Sequence, residues 1–232
     1  MGQRHQVYVA LPPGHPHVRD GKRKNIGVHH QWLYGHTAAR LCRNFLTFVL
    51  KAKKEAGHYH PFENGYESAE EMLKAIYSCD PEFGYYHSAH ILDAGEPEDP
   101  MRGDNNDGIT VFDLRRIHEK RGNVSYCFVW LYESDDDAKL PAFVPLSARQ
   151  YVRGYYPDVV SETRPRSTRM VPLLPNGEQN DPEIRVRAVE KTGVSVITPE
   201  ELAGIFPKLP LPRKKPELVL PDLGDSPADS PF

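Results

Sequence analysis

His58-Tyr59-His60 places two imidazoles at i and i+2, which share one face wherever the backbone is extended. Such a pair can hold a divalent metal. Far along the chain, Tyr151-Val152-Arg153-Gly154-Tyr155 sets two phenols at i and i+4, on one face of a helical turn. His29 and His30 are adjacent, so on a strand they face opposite ways. One of them can join His5 from a neighbouring strand and His36 from a helix start. His87 and His90 stand at i and i+3 in a segment too irregular to read as a helix. Asp104-Asn105-Asn106-Asp107-Gly108 has the composition of a calcium loop. Aligning Gly108 to the required glycine, however, puts Gly103 where the first acid belongs and Leu114 where the bidentate glutamate belongs. The segment therefore reads as a turn feeding a strand.

The histidine pair followed by the tyrosine pair, in that order, resembles the rolling-circle nickases. In that family two histidines and a carboxylate hold a metal, and a tyrosine attacks a DNA phosphate. The resemblance implies His58 and His60 as metal ligands, Tyr151 and Tyr155 as candidate nucleophiles, and a divalent metal as cofactor. It covers about eight residues, and Gly57 and Pro61 flank the histidines, so no core strand is evident there. The competing reading is a loop with exposed histidines and a helix whose tyrosines pack on the sheet. Other chemistry lacks its motifs. There is no phosphate-binding glycine-lysine loop, no dinucleotide glycine pattern, no Gly-x-Ser-x-Gly elbow and no His-Glu-x-x-His. Cys42, Cys79 and Cys127 are too scattered for a disulfide framework or a thiolate zinc site. Cys42 on a buried helix side and Cys127 inside a strand read as inert packing.

Charge is distributed in blocks. The formal net charge of the 232 residues is −3. Residues 1–54 carry ten Lys/Arg and one acid, so +9; residues 55–113 carry fourteen acids and two bases, so −12; the remainder balances at seventeen of each. Such a split speaks about partners more than about fold. The positive block can meet phosphates, or the acidic block of the same chain or of another copy. Arg4, His15, His17, Arg19, Lys22, Arg23 and Lys24 cluster in or beside the first loop, without interleaved aromatic residues for stacking bases.

These groups need elements to position them. Gln6–Leu11 and Ile26–Tyr34 read as two strands of a first hairpin, broken by Pro12-Pro13-Gly14. A long helix follows, about His36–Ala56. Arg40, Arg43, Asn44, Thr47, Lys51 and Lys54 form one polar stripe on it, and Leu41, Cys42, Phe45, Leu46, Phe48, Val49 and Ala52 fill the other side. Its solvent face is thus cationic. Ser68-Ala69-Glu70-Glu71 predicts a helix to about Tyr77. Residues 79–107 read as irregular. Gly108–Arg116 and Val124–Tyr132 read as a second hairpin. Ser147 caps a short helix through Tyr155, Ile184–Val189 and Val194–Ile197 read as short strands, and Thr198-Pro199-Glu200-Glu201 caps a helix to Phe206.

Residues 207–232 hold seven prolines and show no periodicity. Such a segment favours polyproline II at roughly 3.1 Å per residue and reaches ~80 Å, well beyond a domain whose radius of gyration is ~17 Å. Fixing each residue costs about 1–2 kcal/mol, so an arm of this kind orders only along a partner. Its apolar anchors and cations include Leu209, Leu211, Arg213, Lys214, Lys215, Leu218, Leu220 and Phe232.

The expectation is an α+β chain: one domain over residues 1–206, built of antiparallel hairpins, one long amphipathic helix and several short helices, with an extended Pro-rich arm over 207–232. The expected function is non-catalytic, a structural or adaptor component of a large assembly, with a virus or phage particle as the first setting by analogy. Its partners are other protein subunits. They are met through Arg40, Arg43, Lys51 and Lys54 on the long helix and through the arm, with nucleic acid as a further partner for residues 1–54 and no membrane. The alternative is a metal-dependent enzyme that binds or nicks nucleic acid. No run of ~18 apolar residues and no leader is evident, so the expected location is cytoplasmic on synthesis and then the virion.

Overall fold

Val7-Tyr8-Val9-Ala10 is apolar without alternation, the pattern of a strand buried on both faces. In the computed structural model β1 (Arg4–Ala10) is an inner strand, and those four residues are fully buried. The structure describes residues 4–13, 25–31, 33–56, 89–91, 100, 107–117, 119, 123–130, 143–157, 160 and 181–208. Around β1 are assembled β2 (Asn25–Gln31), β3 (Ala89–Ile91), β4 (Ile109–Asp113), β5 (Ser125–Val129) and β6 (Ser195–Val196). The sheet order is β3-β2-β1-β4-β5-β6. The helices are α1 (Gly35–Ala56), α2 (Ala148–Tyr155), α3 (Pro182–Glu190) and α4 (Pro199–Ile205). The described part is thus α+β.

Both expected antiparallel pairs form, with Val7 opposite Val28 in β1/β2 and Val111 opposite Cys127 in β4/β5. The sheet as a whole is mixed rather than antiparallel throughout, because β1/β4 and β5/β6 are parallel. Strand order depends on where the intervening helices carry the chain, and hydrophobic pattern does not encode that. The three residues of β3 pair with β2 inside a stretch read from sequence as irregular.

Residue parity along the strands divides the core in two. Val7, Val9, Ile26, Val28 and Phe112 face α1, α2 and α3, with the Phe45 and Phe112 rings 4.3 Å apart. Tyr8, Ala10, Val111 and Cys127 face the other way, onto Phe143 and onto Leu202, Ile205 and Phe206 at and after α4. Tyr8 meets Phe206 edge to face at 5.3 Å. One face of the sheet therefore carries three helices, and α4 stands on the opposite face.

Three helix starts follow from their caps. Ser147 with Gln150, and Thr198 with Glu201, each form a reciprocal capping box. Asp181 caps α3 by accepting from the Glu183 N–H at 2.9 Å, and Pro182 occupies the first turn. This corrects the strand expected over Ile184–Val189. Its β-branched residues mimic a strand, but Pro182, Val186 and Val189 recur at helical spacing and are its buried apolar residues, with Glu183 buried beside them. Cys42 and Cys127 are buried, and burial raises both thiols well above the ordinary value, so they stay protonated packing groups. Among the described residues no helix is long and apolar enough to cross a membrane. The helix expected over residues 68–77 and most of the arm, from residue 209 on, lie outside the described residues.

Two glycines in the left-handed region calibrate the fold. Gly108 (φ +85°) turns the chain into β4, and a Cβ there would overlap the Val129 carbonyl oxygen of β5. Gly193 (φ +68°) has open space around it. Gly193→Ala should cost only the backbone term, about 1 kcal/mol. Gly108→Ala adds a clash against immobile backbone and should cost about 3 kcal/mol or more. Urea unfolding of both variants reads the difference, and equal losses would mean that β5 yields freely at Val129.

Candidate functional site

β1 and β4 run parallel, so their first residues lie side by side. Asp107, just before β4, locks onto the start of β1: its N–H donates to the Arg4 carbonyl at 2.9 Å, and the Arg4 N–H donates to its Oδ2 at 2.8 Å. The two phenols at i and i+4 on α2 descend onto the same residue. Tyr151 Oη donates to the Asp107 carbonyl at 2.9 Å, and Tyr155 Oη donates to Asp107 Oδ1 at 2.9 Å. His5 completes the cluster, with Nδ1 3.1 Å from the same carbonyl and Nε2 2.8 Å from Thr110 Oγ1. These partners fix the tautomer: Nδ1–H donates to the carbonyl, and Nε2 accepts from the threonine hydroxyl. Phe128 stacks on Tyr151 at 4.4 Å, and Trp130 lies 4.8 Å and 4.9 Å from Tyr151 and Tyr155.

The electrostatics follow from burial. His5 is fully buried, and desolvation lowers its pKa from 6.5 to about 4, so it is neutral at pH 7. Burial also raises the Asp107 carboxyl, against the hydrogen bonds from Tyr155 and the Arg4 N–H. Tyr151 and Tyr155 are both raised, chiefly by burial. A phenol that attacks phosphate must reach solvent and lose its proton, and both features oppose that here. The histidine bonds the carbonyl of Asp107 and not its carboxylate, so the trio is not a nucleophile–base–acid relay. What the cluster can do is tie α2 to the junction of β1 and β4.

The other histidines are dispersed. His30 stands opposite His5 on β2 and shares its face, while His29 stands opposite Gln6 on the other. His36 Nδ1 bonds Tyr156 Oη at 2.8 Å. Among the described residues no three His, Cys, Asp or Glu are placed to hold a metal. His58 and His60 lie outside the described residues, as do Leu209, Leu211, Arg213, Lys214, Lys215, Leu218, Leu220 and Phe232.

The cationic stripe of α1 is only partly exposed. Arg43, Thr47 and Lys51 are exposed and Arg40 is half-buried; the side chain of Lys54 is not described. Against this stripe lies α3, and between them opens a groove of about 710 Å³. From α1 it takes Arg43, Thr47, Leu50 and Lys51. From α3 and the turn after it come Ile184, Arg187, Ala188, Lys191 and Thr192. Four of these nine described residues are cations and none is acidic. Ile184, 38% exposed, is the large apolar side chain left open to solvent among the described residues. Arg187 is bridged to Glu183 at 3.0 Å, which leaves the groove less positive than a bare count suggests. The α3 half of this groove is missed when 184–189 is read as a strand; Arg187 and Lys191 at i and i+4 are the signal once Asp181-Pro182 is taken as a helix start.

The polar cluster predicts acid lability. Unfolded His5 takes up a proton near pH 6.5, and folded His5 not until about pH 4. Between those values the unfolded state binds more protons, so stability falls as the pH drops, by up to about 3 kcal/mol over the whole window. Asp107 acts in the opposite sense, since its raised carboxyl takes up its proton in the folded state first. Urea midpoints at pH 7 and pH 4.5 should show the loss, and His5→Gln should flatten it. An unchanged pH slope in His5→Gln would move the origin of the effect elsewhere.

Comparison of the chain with protein-family models, with curated proteins and with solved structures returned no match, so the functional reading rests on this geometry.

Proposed function

We propose that the chain is a non-catalytic assembly component whose α1/α3 groove docks an acidic polypeptide surface of a neighbouring subunit. The observation that carries this reading is the groove itself, cationic on both walls with apolar Leu50, Ile184 and Ala188 among its lining. A groove for phosphate alone needs cations and polar donors; an exposed isoleucine adds nothing to phosphate binding and suits a leucine-bearing peptide. Residues 55–113 carry fourteen acids in every copy, so acidic sequence for such a contact is available between identical subunits. The C-terminal arm then crosses the junction. A particle built of many copies, viral or phage, is the setting such self-complementarity suits.

The enzymatic alternative, with Tyr151 or Tyr155 as nucleophile and His58 and His60 on a metal, has less support. The tyrosine hydroxyls are engaged by Asp107 behind an aromatic cover, and their protons are held more tightly than in water.

Sedimentation velocity of the full chain tests the reading. Self-association should be strong at low ionic strength and weaken sharply toward 1 M salt, where the screening length is only ~3 Å. The double variant Lys51→Glu, Lys191→Glu should weaken it by about tenfold or more, with the circular dichroism unchanged. A chain that stays monomeric at all salt concentrations, or a variant that associates as tightly as the parent, would overturn the proposal. So would an oligonucleotide that occupies the groove in preference to protein, seen as anisotropy that falls steeply with salt and is lost in the same variant.

A further inference from the structure

We infer that the occupant of the α1/α3 groove is the acidic terminal segment 217–232 of a neighbouring copy. This rests on the assembly reading above and names the piece of the partner that docks. Three observations converge on it.

The first is chemical match. After Lys215 the chain holds four acids, Glu217, Asp222, Asp225 and Asp229, and no Lys or Arg. Leu218, Val219, Leu220 and Leu223 lie among them. A cationic groove with an exposed isoleucine in its wall asks for that mixture of carboxylate and leucine. The −12 block has carboxylates too, but two of those described, Asp107 and Asp113, are already engaged. Asp107 is tied into the polar cluster, and Asp113 bonds Arg115 through both oxygens.

The second is spacing. Arg43 and Lys51 are eight residues apart on α1, about 12 Å along the axis, and Arg187 and Lys191 on α3 are about 6 Å apart. At an extended rise of roughly 3.1–3.3 Å per residue, Asp222 to Asp225 spans about 10 Å and Asp225 to Asp229 about 13 Å. Successive carboxylates can therefore meet successive cations along one groove.

The third is position in the fold, and it favours the neighbouring copy, which can engage more of the segment. α4 and Phe206 lie on the face of the sheet opposite α1 and α3, so the chain leaves Lys208 on the side away from the groove. Nine residue steps separate Lys208 from Glu217, at most about 30 Å. Helix, sheet and helix together are already about 30 Å thick, and the route round the sheet edge is longer. Within its own copy Glu217 lacks the length to arrive, and the residues just after it are spent on the route. In a second copy presenting its groove, all four acids and all the leucines can dock.

The test uses the full chain with a benzophenone amino acid in place of Leu220. An equal mixture of light and heavy-isotope copies is irradiated, and the crosslinked peptides are mapped by mass spectrometry. The expected crosslinks join residue 220 to peptides carrying 43–51 or 184–192, and they are mixed in isotope, hence between copies. Arg43→Glu with Lys51→Glu should lower their yield at least about tenfold. Adding Asp222→Lys and Asp225→Lys should restore it. That rescue excludes a merely misfolded groove, because a tail exchange cannot repair one. Crosslinks confined to single copies, crosslinks to other regions, or no rescue would each overturn the inference. Sedimentation of the same samples separates the two proposals. A chain that associates with salt sensitivity but crosslinks elsewhere loses only the tail docking; a chain that is monomeric throughout loses the assembly reading as well.

Discussion

Arg149 is the tie on which the outer surface depends. From α2 it donates to both carboxylate oxygens of Glu183 at 2.9 Å, and to both of Glu190 at 2.7 and 2.9 Å, so one guanidinium engages both ends of α3. The rest of the hold on α3 is apolar packing, largely along α1. Its buried apolar contribution is Pro182, Val186 and Val189, and a fully buried valine contributes about 1.5–3 kcal/mol. The ion network is therefore of the same order as the hydrophobic contact. Burying charge is costly unless every hydrogen-bonding position is filled, and here the fork geometry of arginine fills them with two carboxylates. Those hydrogen bonds raise the guanidinium pKa further, so the network carries no proton switch in any ordinary pH range. With Arg149 in place, α3 lies alongside α1 and the groove has two walls. Without it, one wall would rest on two valines and a proline.

The same economy governs the polar interior. β1 is buried on both faces, so any polar group at its end must be satisfied within the protein. His5 meets that demand by staying neutral and using both ring nitrogens. The Asp107 carbonyl takes donors from His5 and Tyr151, while its carboxylate takes the Arg4 N–H and the Tyr155 hydroxyl. Each of these bonds crosses between segments about forty to a hundred residues apart, so the cluster fixes the registry of β1, β4 and α2 against one another. A charge-assisted bond in a low-dielectric site is among the stronger ones available, and its loss leaves partners that water cannot reach.

How much of this was legible in the sequence depends on whether the signal was local. Ser147 and Thr198 were found because a capping box is written within four residues. The stripe of α1 was found because 3.6-residue periodicity over more than five turns is unambiguous. Ile184–Val189 was misread because β-branching and alternation outvoted the Asp181-Pro182 start, and the groove went unseen with it. The two tyrosines were correctly placed on one helical face, but whether that face meets solvent or sheet is a tertiary fact. Asp107 was assigned to a turn, which Gly108 at φ +85° agrees with, yet its role as the hub of the cluster depends on the parallel pairing of β1 with β4. No spacing within the chain announces a contact over 102 residues such as His5 to Asp107.

The distribution of polar chemistry in the described fold separates what is closed from what is open. Groups with intrinsic reactivity, two phenols, an imidazole and two thiols, sit where burial holds each in its neutral form. To act on a substrate, Tyr155 would have to surrender Asp107, and Tyr151 would have to surrender the carbonyl that also receives His5; opening the one loosens the other. The open face carries a different set, permanently charged Lys and Arg with an isoleucine beside them. Groups of that kind do not transfer protons or attack bonds at neutral pH. They attract, orient and hold. On the proposed reading, the groove's fixed charges and its isoleucine supply recognition, and the alternation of carboxylates and leucines along an entering segment would set its specificity.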